Sequence, residues 1–149
     1  MTTTMLALAL AMTLQAPAAE AAERQVRAFV DAFNTRNIDG MLALASDAVQ
    51  WLSVDGAKVG VETEGKDALR ASMTKYFQQC PSCKSDLVWL KTAGSRVTAL
   101  ERANWTNRAG VAVSQTSLSV YELKDGRIQR VYYFPAERDT PRPGQSARE

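Results

Sequence analysis

The stretch Val120-Tyr121-Glu122-Leu123-Lys124-Asp125-Gly126-Arg127-Ile128-Gln129-Arg130-Val131-Tyr132-Tyr133-Phe134 decides how this chain folds. Asp125-Gly126 between two β-branched and aromatic runs is a strong two-residue hairpin signal. With that turn, Leu123 is expected opposite Ile128, Tyr121 opposite Arg130 and Val120 opposite Val131. One face then carries Leu118, Val120, Val131 and Tyr133, and the other Tyr121, Leu123, Ile128, Tyr132 and Phe134. Neither face is purely polar, so both need cover. Helices can cover one. A second subunit, giving a homodimer through the sheet face, or an internal loop is expected over the other.

Working outward, strand-like stretches at 85–92, 96–107 and 110–123 precede 127–134, separated by Ala93-Gly94-Ser95, Arg108-Ala109-Gly110 and Asp125-Gly126. Before them, Asp55-Gly56 joins strands at 48–54 and 57–63. A helix is expected from Lys66 to about Gln79, with Leu69, Met73, Tyr76 and Phe77 inward and Pro81 as its stop. A first helix from near Ala21 turns Ala22, Val26, Phe29, Val30 and Phe33 to one side. Asn37 caps a short second helix at 38–45. Helices gathered on one side of a mostly antiparallel sheet make an α+β plan. A long sheet curved over helices leaves a cone whose open end suits a small ligand.

Composition narrows the function classes. The 149 residues suit a single domain, and 46% hydrophobic with 23% charged residues is ordinary for a globular chain. Net charge is +2 with the signs interleaved, so no basic stripe points to nucleic acid. The count of His is zero, which removes Ser-His-Asp and Cys-His catalysis and every His-ligated metal site. No metal or other cofactor is called for.

The N-terminus bears on the compartment. Every Lys, Arg, Asp and Glu lies after Ala19. Met5-Leu6-Ala7-Leu8-Ala9-Leu10-Ala11-Met12-Thr13-Leu14 is an apolar run of signal-peptide length, followed by small-x-small Ala16-Pro17-Ala18. The run is too short to span a bilayer. It is flanked by no Lys or Arg, and an Ala/Leu helix packed on the domain is the alternative. The expected division is a signal peptide over 1–19, a domain over 20–136 and a flexible tail over 137–149, for a periplasmic or secreted protein. A cytoplasmic location goes with the alternative.

The order of elements and several strings resemble the nuclear transport factor 2-like superfamily, in particular its SnoaL-like polyketide-cyclase branch. The strings are Phe29-Val30-Asp31-Ala32-Phe33-Asn34, Asn37-Ile38-Asp39-Gly40-Met41 and Ser46-Asp47-Ala48-Val49-Gln50-Trp51. Glu64-Gly65-Lys66-Asp67-Ala68-Leu69 and Asp125-Gly126-Arg127-Ile128 before Tyr132-Tyr133-Phe134 complete them. The resemblance covers about residues 22–135 and implies a cystatin-like roll, a cone-shaped sheet over three helices. It leaves function open, because such scaffolds host isomerases, cyclases, dehydratases and binding modules. Ketosteroid isomerases of this superfamily use a Tyr on helix one and two Asp residues. Those positions fall at Phe29, at Leu52 or Ser53, and near Gln115 or Leu118, none of which can do that work.

The remaining candidates follow from pattern. Alternation places Val97, Ala99, Glu101, Ala103 and Trp105 on one strand face. A carboxyl set among apolar neighbours is a candidate general acid/base. Its alternative is a structural ion pair with Arg130 or another sheet Arg, and the opposite face, with Arg102 and Asn104, is the other candidate for the pocket side. Trp51, Tyr76, Trp105 and Tyr133, with Gln115, are candidate walls for a small apolar or aromatic molecule, or else core packing. Cys80-Pro81-Ser82-Cys83 holds the only two cysteines. Two thiolates do not close a zinc site, and a motif at a helix C-terminus lacks the dipole that activates a redox thiol. A local Cys80–Cys83 disulfide fits an oxidising compartment, and buried thiols fit a reducing one.

Three functions compete: a binding module for a small apolar ligand, a cyclase-, isomerase- or dehydratase-type enzyme using Glu101, and a dimeric assembly module.

Overall fold

A computed structural model describes residues 4–139 of the chain. Its helices are α1 (Thr4–Asn34), α2 (Ile38–Leu44) and α3 (Lys66–Gln79). Its strands are β1 (Ala45–Asp55), β2 (Lys58–Glu64), β3 (Lys84–Ala93), β4 (Arg96–Thr106), β5 (Ala112–Lys124), β6 (Arg127–Tyr133) and the two-residue β7 (Glu137–Arg138). The strands form one sheet in the order β2-β1-β6-β5-β4-β3, with β7 added to β5. Among the described residues only the β1–β6 pair is parallel. The fold is thus the expected α+β roll, three helices against a curled, mostly antiparallel sheet.

Local chemistry explains the boundaries. Asn37 Oδ1 accepts from the Gly40 N–H at 2.9 Å, which caps α2 and satisfies one of its orphan donors. Asp125 and Gly126 have φ of 52° and 72°, so both central residues of the β5–β6 turn are left-handed. That is the type I′ geometry whose twist matches a hairpin, and Asp and Gly tolerate it best. Pro135 breaks β6, and the chain then re-pairs with β5 through β7, Thr116 opposite Glu137 and Gln115 opposite Arg138. Composition assigns 137–149 to a tail. Its first residues pair in this way, and 140–149 lie outside the described residues.

The core lies between the helices and the concave sheet face. Val26 and Phe29 of α1, Met41 of α2 and Leu69 of α3 meet Val49, Val97, Ala99, Tyr121, Ile128 and Val131, all buried. Each large apolar side chain so buried contributes about 1.5–3 kcal/mol. α1 begins at Thr4, well before Ala21, and carries Pro17 within it. The first of its described side chains to pack on the core is Ala22.

The hairpin register differs from the simple expectation. Leu123 does pair with Ile128, but the next pair is Glu122 with Arg130, followed by Tyr121 with Val131 and Ser119 with Tyr133. The extra residue, Gln129, is a β-bulge, and it reverses the parity of β6 beyond it. Ile128 and Val131 therefore both point into the core. Tyr121, Val131 and Tyr133 share the inner face, correcting the two faces drawn from strict alternation. Leu118 and Phe134 remain exposed.

Candidate functional site

A cavity of about 360 Å³ opens between the C-terminal half of α1, α3 and the concave face of the sheet. Its apolar walls come from α1 (Phe29, Val30, Phe33), α3 (Met73, Tyr76) and β1 (Trp51). Trp51 stacks on Tyr133 with ring centroids 4.9 Å apart and an interplanar angle of 16°. Phe33 and Tyr76 face each other at 5.7 Å. These contacts fix ring orientations, so the walls are preformed rather than adaptable.

The floor is polar and centres on Glu101, 5% exposed on β4. Register explains its company. On β5, Ser119 and Tyr121 take the inward positions, and the β6 bulge turns Tyr133 inward beside them. Ser119 Oγ donates to Glu101 Oε1. Tyr121 Oη donates to the same oxygen at 2.6 Å, and Tyr133 Oη lies 3.4 Å from it. The two phenol oxygens are 3.2 Å apart. Ser85 Oγ of β3 donates to Oε2 at 2.9 Å. Ser85 is itself set by Asn34 at the end of α1. The Asn34 amide donates to the Ser85 carbonyl and accepts from the Ser85 N–H, each at 2.8 Å.

No cation touches Glu101 among the described residues. The expected alternative, an ion pair with Arg130, is therefore corrected. The bulge carries Arg130 to the outer face, where it bonds Glu122 at 3.1 Å and Gln50 at 3.0 Å. Without it Arg130 would stand opposite Tyr121, next to Glu101. Burial, and then the Glu101 charge, push the Tyr121 and Tyr133 phenols well above their ordinary value. Both stay protonated and keep their protons for hydrogen bonds.

Of the residues picked from sequence, Glu101, Trp51, Tyr76, Gln115 and Tyr133 all line this cavity. Trp105 does not. It lines a separate shallow depression with Ser82, Lys84 and Asn104. Among those missed are Tyr121, Ser85 and Ser119, which hold the carboxylate, and Asn34, which holds Ser85. Ser119, Ser85 and Tyr121 carry no signal beyond parity, and the bulge hid that Tyr133 stands beside Tyr121.

Cys80 and Cys83 form the expected disulfide, with Cα atoms 5.4 Å apart. It closes the corner between α3, which carries Tyr76, and β3, which carries Ser85. Arg36, in the left-handed region at φ 60°, lies 4.6 Å over the Phe77 ring and donates to the Pro81 carbonyl at 2.7 Å. The α1–α2 corner is thereby tied to the disulfide loop. Among the described residues no cluster of Cys, Asp and Glu could hold a metal ion, and no helix is long and apolar enough to cross a membrane.

With this geometry in place, comparison with known proteins decides the family. The sequence profile of the SnoaL-like domain matches residues 26–131, more than half of the chain. The chain belongs to the SnoaL-like family. A search of the curated proteins finds no match. Solved structures share the fold. Bal32a from a soil-derived mobile gene cassette is 22% identical, with 77% of this chain and 88% of that one covered at a TM-score of 0.66. A nuclear transport factor 2-like protein of unknown function from Burkholderia pseudomallei is 19% identical, with 80% and 91% covered at 0.64. A putative polyketide cyclase from Xanthomonas campestris is 21% identical, with 78% and 91% covered at 0.60. At these identities the likeness establishes the SnoaL-like roll and nothing of the ligand.

Proposed function

We propose that this SnoaL-like domain binds a small, largely apolar, ring-bearing molecule in its cone, with Glu101 as the polar anchor. One observation carries the reading: a buried carboxylate with no cation partner among the described residues faces a cavity walled by Phe29, Phe33, Trp51 and Tyr133. A charge of that kind is costly to bury for packing alone. It is accounted for when a bound molecule completes its hydrogen bonds. The isomerase positions fall at Phe29, at Leu52 or Ser53, and near Gln115 or Leu118, none of them a Tyr or Asp, which favours binding over that chemistry.

An enzyme of cyclase, isomerase or dehydratase type is the second reading, and the single donor on Glu101 Oε2 favours it. That oxygen keeps a lone pair for a substrate proton. On this reading Glu101→Gln abolishes turnover and leaves the fold intact. An active Gln variant ends the assignment.

Export is the reading for the compartment, supported by the Cys80–Cys83 disulfide and by a core that α1 enters only at Ala22 among the described residues. Self-association through the outer sheet face is an added property, drawn from exposed Leu118 and Phe134.

One experiment reads all of these: a native mass spectrum of the protein purified from its own host. A discrete excess mass lost on denaturation, on a chain shortened by about 18 or 19 residues, supports ligand binding and export together. A bare chain of full length overturns both. The subunit count appears in the same spectrum.

A further inference from the structure

We infer that the cone takes a ring molecule polar at both ends, of the diphenol or hydroxy-ketone class, with one group for the Glu101 cluster and one for the Gln115 amide nearer the mouth. The inference rests on the reading of the cavity as a ring-binding pocket and adds the number and spacing of the polar groups its ligand carries.

The inward positions of β5 supply the argument. Gln115, Ser117, Ser119 and Tyr121 follow one another along its inner face, with Ser117 opposite Glu101. Ser119 and Tyr121 are fully buried, while Ser117 and Gln115 are half-buried, so the row runs from the core toward the mouth. Its deep half is committed, since Ser119 and Tyr121 are both hydrogen-bonded to Glu101. Its shallow half is not. Among the described residues neither the Gln115 amide nor the Ser117 hydroxyl has a hydrogen-bond partner, and both residues line the cavity. Ser119 and Gln115 are the two diagonal neighbours of Glu101 across the strand pair, each about 7–8 Å away along the backbone. Glu101 reaches toward the first and leaves the second. Ala103, opposite Gln115, carries no polar group to serve the amide. Lys84 also lines the cavity, one register position further toward the mouth. It gives a proton to the Asn34 carbonyl and keeps others to donate.

The polar groups therefore form two stations on one sheet face, a deep one at Glu101 and a shallow one at Gln115. A ring molecule that fills the cavity excludes water from both. If its outer end is apolar, the Gln115 amide is desolvated without a partner, and that loss subtracts from the gain of burying the ring. A polar group at that end restores the hydrogen bonds. An amide both donates and accepts, and so does a hydroxyl, so the match at Gln115 holds whichever protons the Glu101 cluster carries. At the deep end a hydroxyl likewise serves Glu101 Oε2 with or without a proton on it.

The test uses the full chain and three two-ring probes, measured by equilibrium dialysis at pH 7. 2-Naphthol is polar at one end. 2,7-Dihydroxynaphthalene has a hydroxyl at each end of one long edge, the arrangement that two stations on one sheet face call for. 2,3-Dihydroxynaphthalene has the same atoms with both hydroxyls at one end, and it suits a site made of Glu101 and Ser117 alone. The inference expects the 2,7-isomer to bind at least about fivefold tighter than the 2,3-isomer, the worth of one polar group kept satisfied. A smaller preference, or the reverse order, overturns the inference and leaves the ring-pocket reading standing. Binding of none of the three overturns that reading and the inference with it. Gln115→Leu keeps the bulk of the side chain and removes its hydrogen bonds. It is expected to weaken the 2,7-isomer at least about fivefold and to erase the preference, while 2-naphthol binds as well as before or better. A preference kept in the variant places the second station elsewhere and overturns the assignment to Gln115. If Gln115→Leu does not fold, Gln115→Ala replaces it with the same expectations.

Discussion

Glu101 and Glu122 stand on neighbouring strands of one sheet, and their surroundings differ because of strand parity. Glu101 points inward to four hydroxyls. Glu122, its side chain 13% exposed, points outward between Arg96 at 2.8 Å and Arg130 at 3.1 Å. Burial by itself would raise the Glu122 carboxyl, but hydrogen bonds from Arg130 and Arg96 outweigh it and hold the group below the usual glutamate range. The sign of the linkage follows. A carboxyl depressed in the folded state adds stability above its unfolded value of about 4.3, and that stability is lost as pH falls through the lower folded value. Glu122→Gln is expected to cost about 1 kcal/mol or less at pH 7, since Arg96 is largely exposed and Arg130 partly so. It should also flatten the decline in melting temperature between about pH 5 and pH 3. Melts of both proteins across that range decide it, and an equal acid decline in the variant would remove Glu122 from the explanation.

At the scale of elements, most of the fold was legible because each signal was local. The helix at Lys66–Gln79, the cap at Asn37 and the turn at Asp125-Gly126 are written in spacing and turn chemistry within a few residues. Glu101 was legible too, as a charge on the apolar phase of β4. The bulge at Gln129 was not. Nothing in Ile128-Gln129-Arg130 marks an extra residue, since the polar pair reads equally well as one inward and one outward position. Yet that bulge decides that Arg130 leaves Glu101 and that Tyr133 joins it beside Tyr121, which β5 parity alone turns inward. Asn34 and Ser85 were hidden for another reason, their contact spanning 51 residues of sequence. The disulfide sits beside that contact and gives the prediction for this scale. Its loop is short, so losing it by Cys80→Ser with Cys83→Ser should cost at most about 2 kcal/mol through chain entropy. The larger effect is expected on ligand affinity, because the same corner spaces Tyr76 from Ser85. Denaturant titration and dialysis with 2-naphthol separate the two. An affinity unchanged in the double variant would show that Asn34 and Arg36 hold the corner without the disulfide.

For the whole molecule, the open question in the sequence was whether the N-terminal apolar run belongs to the domain or is discarded from it. A helix that packs on a core leaves buried side chains along one stripe. In α1 that stripe runs through Val26, Phe29, Val30 and Ala32, with Ala22 partly buried ahead of it, while Pro17, Ala18 and Glu20 are exposed. The stripe faces the sheet that builds the cavity, so everything the pocket needs from α1 lies after Ala21. A chain beginning at Glu20 is therefore expected to melt within about 2 °C of the full-length chain, because the packed stripe is kept whole and Pro17 and Ala18, just ahead of the cut, are exposed. It should also bind the same probes. If the apolar run were packed on the domain, its removal would uncover several large side chains and lower the transition by about 4 °C or more for each kcal/mol lost. Thermal melts of the two chains, with the disulfide intact in both, distinguish a leader carried ahead of a finished domain from a helix that is part of it.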